Sequence, residues 1–371
     1  MTDTEIDQAE PAKRLASVDA LRGFDMFWIM GGREFILSFA ALIFSGAPPW
    51  LDHQLEHVPW EGFVAWDLIM PLFIFVSGVA LPFSMSKWKG SGDSKRSFYL
   101  RVARRLVILW ILGMAVQGNL LAWDLDKLRL YTNTLQSIAS GYLIGTIFLL
   151  TMSIRTQLIA TAGLLLSYWA ILEFAPVPDI GAGVLEPWKD FANYFDDLVL
   201  GRFADGGNYT WVISSLGFGA TLMMGVFAGH ALRSDESDQQ KLNMLLAMGI
   251  GCLATGWIWS IWHPMIKHIW TSSMNLWADG WCFLLLAAFY WIIDVRGYKK
   301  WAFPLIVIGT NAIAVYVATH LFNFRHISNI FVGSLVERLE NFGVFLSAFG
   351  ALLVPWLILL YMYKKKTFIR L

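Results

Sequence analysis

The chain has 371 residues, of which 57% are hydrophobic and only 15% charged, and its 28 basic and 28 acidic residues cancel. A soluble domain carries about 25% charged residues, so this composition excludes an ordinary soluble globular protein. The zero net charge says little by itself, because the two signs are segregated along the chain; no nucleic-acid partner is expected.

Residues 1–13 are polar and acidic and read as a disordered cytoplasmic tail. The remainder, 14–371, reads as a single domain. Its apolar residues come in long blocks, and a helix crossing the hydrocarbon core needs roughly 20 of them. In that core each backbone polar group must find an internal partner, which selects helices. The expected fold is all-α, a polytopic transmembrane helical bundle of about ten spans. They are placed at 24–45, 62–83, 100–120, 133–152, 156–175, 210–231, 242–262, 274–294, 301–320 and 343–363. The stretch 321–339, broken by Arg325, His326 and Asn329, reads as an interfacial or re-entrant piece. With the N-terminus inside, most of the Lys and Arg fall on the inner side, notably Lys87, Arg96, Arg101, Arg104, Arg105 and the closing Lys364–Lys366. By the positive-inside rule both termini are cytoplasmic.

Ionisable residues inside spans are costly and default to functional hypotheses. The first span holds Asp25, Arg33 and Glu34, which suit either substrate binding or neutralisation within the bundle. Before the second span lie His57, Pro59, Trp60, Glu61 and Gly62, and then Asp67. A histidine titrates near neutrality and can take and return a proton. A carboxylate such as Asp67 would orient its ring. An interfacial histidine with no chemistry is the plainer alternative. The basic loop 86–105 suits anionic lipid, or the phosphates of a cytoplasmic cofactor held by Arg101, Arg104 and Arg105. Gln136 opens the fourth span. Lys267, His268 and Trp270 occupy an outer loop, followed by Asp279 in the eighth span. Asn311, Tyr316 and His320 follow in the ninth. Among His53, His57, His263 and His268, the first two have i,i+4 spacing, but the flanking Pro48, Pro49 and Pro59 argue against a helix there and no third ligand has a matching motif, so no metal is expected. Cys252 and Cys282 read as small buried hydrophobes.

An ordered set of motifs resembles a family. Residues 14–23, RLASVDALRG, look like the opening signature of the transmembrane acyltransferases. His57-x-x-Trp60-x-Gly62 with Asp67-Leu68-x-x-Pro71 is similar to the heparan-α-glucosaminide N-acetyltransferase branch. So are Leu135-Gln136, Asp294-Val295-Arg296-Gly297, Gly309-x-Asn311, Val315-Tyr316-Val317, His320 and Tyr363–Lys366, in an order that covers nearly the whole chain. The chain also resembles bacterial inner-membrane members linked to amino-sugar use.

That resemblance implies an acetyl-CoA-dependent N-acetyltransferase with acetyl-CoA as co-substrate and a small amino sugar such as glucosamine as acceptor. His57 maps onto the active-site histidine, and Asp67 onto its neighbour. Trp60, Glu61, Asp25, Arg33, Glu34, Lys267, Trp270, Asp279 and His320 are the expected sugar-side residues. Arg22, Arg101, Arg104, Arg105, Gln136 and Asn311 are expected on the cofactor side. In the direct-transfer mechanism this suggests, Arg33 or Asn311 is the expected donor to the oxyanion. Membrane lipid and a second copy in a homodimer complete the expected partners. Some relatives carry an Asn in the first span that works with the histidine; here the stretch reads Met30-Gly31-Gly32-Arg33-Glu34, with no Asn. The family's large outer N-terminal domain has no counterpart in the sequence. Rival readings are a proton-coupled carrier of amino sugars and an O-acetyltransferase acting on an envelope glycan.

Overall fold

The computed structural model describes residues 15–44, 46–90, 92 and 94–369; the expected N-terminal tail lies outside them. Among the described residues, eight helices are long and apolar enough to cross a membrane: α1 Ala16–Phe44, α2 Ala65–Trp88, α4 Thr134–Thr151, α5 Ile154–Phe174, α6 Ser215–Arg233, α7 Asp238–Trp259, α8 Ser272–Val295 and α12 Glu340–Lys364. A ninth crossing is a broken pair, α9 Phe303–Gly309 and α10 Ala312–Leu321, bent by 77°. The protein is therefore an all-α, multi-pass membrane bundle, in which eight or nine of the described segments have the length and apolarity of a crossing, against about ten expected. The difference lies at 100–120. There α3, Lys95–Val116, is a helix of 22 residues whose first half carries Lys95, Arg96, Arg101, Arg104 and Arg105, which lower its apolarity. The stretch 321–339 forms an amphipathic helix, α11 Phe324–Val336, which packs along α12.

The core centres on α6, the most enclosed crossing, flanked by α2, α4, α5 and α8. Small residues let the backbones meet. A Cβ added at Gly225 would stand 2.0 Å from the carbonyl oxygen of Phe75, and one at Gly78 would stand 2.0 Å from that of Leu222. Without aqueous solvent to drive helices together, such close van der Waals contact holds a membrane bundle. Around it pack Phe75, Phe218, Leu222, Met223, Phe283 and Leu286, all essentially inaccessible. Cys282 belongs to this core and Cys252 lies at its edge; both are free thiols.

Helix α1 is not continuous. It passes through a π segment, Trp28–Gly32, where Gly31 adopts φ +116°, a conformation L side chains resist. The break faces the cavity described below, so α1 supplies shape there as well as span.

Three loops close one end of the bundle. The loop after α5 is ordered: it carries a helix, Phe191–Leu200, capped by Asp190, which accepts from the Asn193 amide at 2.9 Å. Asp196 from that helix accepts from the backbone N–H groups of Trp211 (2.7 Å) and Val212 (2.9 Å), tying the loop to the head of α6. Burial raises the Asp196 carboxyl to about 7. The loop before α8 is fastened to the segment before α2 through Gly62 N–H to Met265 O at 2.9 Å, and to the α6 approach through Thr210 N–H to His268 O at 3.0 Å.

Candidate active site

The segment that carries His57 reverses direction because Gly62 takes φ +122° and Pro59 stiffens the approach. A short 3-10 turn, Ala65–Leu68, then leads into α2. This turn sets Asp67 at the buried head of the helix, with its Oδ2 accepting from Val64 N–H at 3.2 Å. Its Oδ1 lies 2.6 Å from His57 Nδ1. A carboxylate accepts and a ring N–H donates, so Nδ1 carries the hydrogen and Nε2 keeps the free lone pair. That is the tautomer a general base needs. The imidazole is 41% exposed while the Asp67 side chain is 1% exposed, so the ring is open and the carboxylate that orients it is sealed.

Lys267 completes the cluster from the loop before α8. Its Nζ stands 3.4 Å from Asp67 Oδ1 and 3.3 Å from His57 Nδ1. With Nδ1 already donating, the second contact is electrostatic rather than a hydrogen bond. Burial lowers the Lys267 ammonium to about 8 against the pull of Asp67. At neutral pH it remains mostly a cation. The neighbouring His268 is pushed down to about 4 by burial and the Lys267 charge, so it is neutral.

His57 and Lys267 line a cavity of about 370 Å³. Its other walls are Trp66, Ile69, Met70 and Phe73 from α2, Gln117 from the end of α3, Thr132 and Thr134 at the head of α4, and Asp205, Tyr209 and Trp211 from the loop after α5. Ile29 of the π segment and Tyr316 and His320 of α10 close it. Aromatic faces with a few polar groups form the usual lining of a small-molecule site. His320 and Ile29 also line a second cavity, of about 560 Å³, with Glu34, Asn323 and Arg325.

The remaining expected residues scatter. Trp60 donates its indole N–H to Leu185 O (2.7 Å) and stacks on His268 with ring centroids 5.2 Å apart, beneath the loops rather than on the cavity wall. Glu61 is exposed and pairs by backbone with Ile266. Arg33 donates to Leu55 O (2.7 Å) and Asp52 (3.4 Å), joining α1 to the following loop. Trp270 is buried against Phe218. Asp25 and Asp279 are fully buried in α1 and α8, and their carboxyl oxygens make no hydrogen bond to the described residues.

The cofactor-side residues do not gather either. Arg101 and Arg104 are exposed on the first half of α3. Arg105 lies over the Tyr142 ring, 4.4 Å from its centroid. Arg22 sits 3.7 Å from Asp19. The Gln136 amide is engaged at both ends, accepting from Thr132 N–H at 2.9 Å and donating to Leu130 O at 2.6 Å. Asn311, at the α9–α10 bend, donates to Thr367 O (3.2 Å) and accepts from Ile369 N–H (2.9 Å), clasping the segment after α12. Neither Arg33 nor Asn311, the expected oxyanion donors, lines the His57 cavity. Lys267, already suspected as a sugar contact, is the cation that lines it.

Sequence reasoning passed over Asp205, Tyr209, Trp211, Thr132 and Gln117. The Thr132 hydroxyl donates to Asp205, and Asn133 to Gln117. The only hint was positional: each borders a span at the end where His57 lies.

A polytopic bundle with an oriented histidine opening into a polar–aromatic cavity near one end defines a membrane protein equipped for proton transfer. No family model matches the chain. It is similar to heparan-alpha-glucosaminide N-acetyltransferase of Homo sapiens, 24% identical over 374 residues, a stretch covering 83% of this chain and 53% of that protein. The mouse protein of the same name is 23% identical over 373 residues. The chain spans about half the length of these curated relatives. The family resemblance read from the motifs is thus to the same proteins, over most of the chain.

Proposed function

We propose that this chain is a membrane acetyltransferase that moves an acetyl group from acetyl-CoA to the amine of glucosamine or a glucosamine-containing sugar. The observation that carries the reading is the His57–Asp67 contact of 2.6 Å at the wall of a cavity of about 370 Å³. The likeness to N-acetyltransferases of glucosaminides supplies the reaction class.

In this mechanism the acceptor nitrogen attacks the thioester carbonyl. His57 Nε2 takes a proton from the attacking amine and returns it to the departing thiolate. Base catalysis of this kind contributes about 10²–10⁴-fold. Asp67 holds the ring in the basic tautomer and favours the imidazolium that forms. The Lys267 ammonium is the donor for the tetrahedral oxyanion, in a site where one such donor is worth about 10²–10³-fold. The aromatic walls Trp66, Tyr209, Trp211 and Tyr316 suit the apolar face of a pyranose. Trp60 and Trp270 then act by shaping the loops that carry Lys267.

By charge asymmetry both termini face the cytoplasm and the His57 end faces the other side, and we place the protein in a bacterial inner membrane. Acetyl-CoA would arrive from the cytoplasm, with the arginines of α3 at its phosphates. Purified protein supplied with acetyl-CoA and glucosamine tests the reading: free CoA thiol and N-acetylglucosamine must appear together, and a folded protein yielding neither refutes it.

Asp25 and Asp279 favour one rival. Carboxyls buried inside spans also suit a proton-coupled carrier. Counterflow of labelled glucosamine in vesicles without acetyl-CoA would establish that reading instead.

A further inference from the structure

An amine at neutral pH enters as an ammonium, so acetylation must remove two protons from one nitrogen. The first frees the lone pair and the second leaves after attack. His57 accounts for the second. Its neighbour Lys267, 3.3 Å from Nδ1, repels a cation, so an ammonium is not drawn to that wall. Among the described residues lining the cavity, Asp205 is the sole carboxylate, because Asp67 is sealed behind His57 and Lys267. Asp205 is held in place, accepting from the Thr132 hydroxyl and, at 3.3 Å, from the Trp211 indole N–H.

We propose that Asp205 is a second catalytic residue, which binds the acceptor ammonium and takes its first proton, and so selects amines over hydroxyl acceptors. This rests on the acetyl-transfer reading above. The balance is as follows. The ammonium gives one proton to the Asp205 carboxylate, leaving a neutral amine and a carboxylic acid. The nitrogen lone pair forms the C–N bond, and His57 Nε2 takes the second proton. The C–S bond breaks, and the thiolate receives that proton from His57. The third hydrogen stays on the amide. Asp205 then releases its proton to water, so each turnover yields one amide, one thiol and one proton.

The surroundings fit this task. Burial pushes the Asp205 carboxyl above the usual range, against its two hydrogen bonds and the charge of Arg129. It is therefore a better proton acceptor than a solvated carboxylate. The groups that share its cavity are Lys267, a cation, His57 and His320, and the phenols of Tyr209 and Tyr316. Burial raises Tyr209 to about 12, so it stays neutral. Asp205 is thus the acidic pole of a cavity whose basic pole is Lys267.

The test measures binding of glucosamine and of glucose to the full chain in detergent by calorimetry, for wild type, Asp205→Asn and Asp205→Glu. Loss of a charge-assisted contact predicts that wild type prefers glucosamine by about 10- to 100-fold, that Asp205→Asn abolishes the preference, and that Asp205→Glu retains part of it. No preference in wild type, or an undiminished one in Asp205→Asn, overturns the proposal. If Asp205→Asn does not fold, Asp205→Ser replaces it in the same comparison. In turnover, kcat/KM of Asp205→Asn with glucosamine should fall more at about pH 6.5 than at about pH 8.5, where more of the acceptor is already free amine. An equal fall at both values contradicts the proton-acceptor role. Binding without turnover in wild type would sink acetyl transfer while still testing Asp205, so the two failures are distinguishable.

Discussion

Replacing Asp67 by Asn keeps the volume and removes the charge from the centre of the site. Three consequences follow from the geometry. The charge-assisted hydrogen bond at 2.6 Å is worth about 1.5–3 kcal/mol, and its loss from a transition state in which His57 is imidazolium costs about 10- to 150-fold. An Asn amide can also donate to Nδ1, which moves the ring hydrogen to Nε2 and removes the base. The loss then reaches the full contribution of base catalysis, about 10²–10⁴-fold. The third consequence is structural. Lys267, 5% exposed, loses the carboxylate 3.4 Å away, and breaking a buried pair by removing one partner costs about 3–5 kcal/mol unless the amine loses its proton. The assay is CoA-thiol release in detergent at saturating acetyl-CoA, run beside thermal melting of the same samples. Asp67→Asn should fall at least tenfold in kcat and melt lower. The double variant Asp67→Asn with Lys267→Met should recover melting temperature without recovering activity. A kcat within threefold of wild type in a folded Asp67→Asn protein would refute the reasoning.

Lys267→Met alone should lower kcat by about 10²–10³-fold through loss of the oxyanion donor, with little change in sugar binding. In wild type the Lys267 ammonium titrates at about 8 rather than 10.5, so the unfolded chain binds more protons between those values. Its contribution to stability therefore rises as the pH climbs through that window, and melting from pH 8 to 10 should show a rise that Lys267→Met lacks. Gly225→Ala should destabilise by about 1–3 kcal/mol, because the new Cβ would stand 2.0 Å from Phe75 O; an unchanged melting temperature would mean α2 and α6 are less tightly apposed. Asp196→Asn should flatten the stability decline that wild type shows as pH rises from about 4 toward 7, since a carboxyl raised to about 7 favours the folded state only while protonated. Melting across that range reads it.

The crossings were legible because bilayer thickness and backbone satisfaction leave apolar runs little choice. The span expected at α3 falls short of a crossing's apolarity because its run is apolar only in its second half. His57 and Asp67 were legible as a pair because they are close in sequence and separated by a turn. Lys267 was legible as a polar residue in an outer loop, but nothing in the chain marked its union with Asp67, which depends on backbone contacts between Gly62 and Met265. Gln136 and Asn311 show the converse. Polar residues inside spans look like ligand contacts, yet the structure uses both amides to satisfy backbone groups where helices begin or bend. Asp205 left no periodic trace, since loops fold by side-chain-to-backbone contacts that have no period. The break in α1 was visible only as the pair Gly31-Gly32, which reads equally well as close packing.

The account stands on His57 as the base. Wild type and His57→Ala, each shown to be folded by the same melting curve, would be given acetyl-CoA and glucosamine, with CoA thiol and N-acetylglucosamine read by mass. The account predicts product from wild type and a loss of at least about 10²-fold in the variant. Equal turnover in both would contradict it.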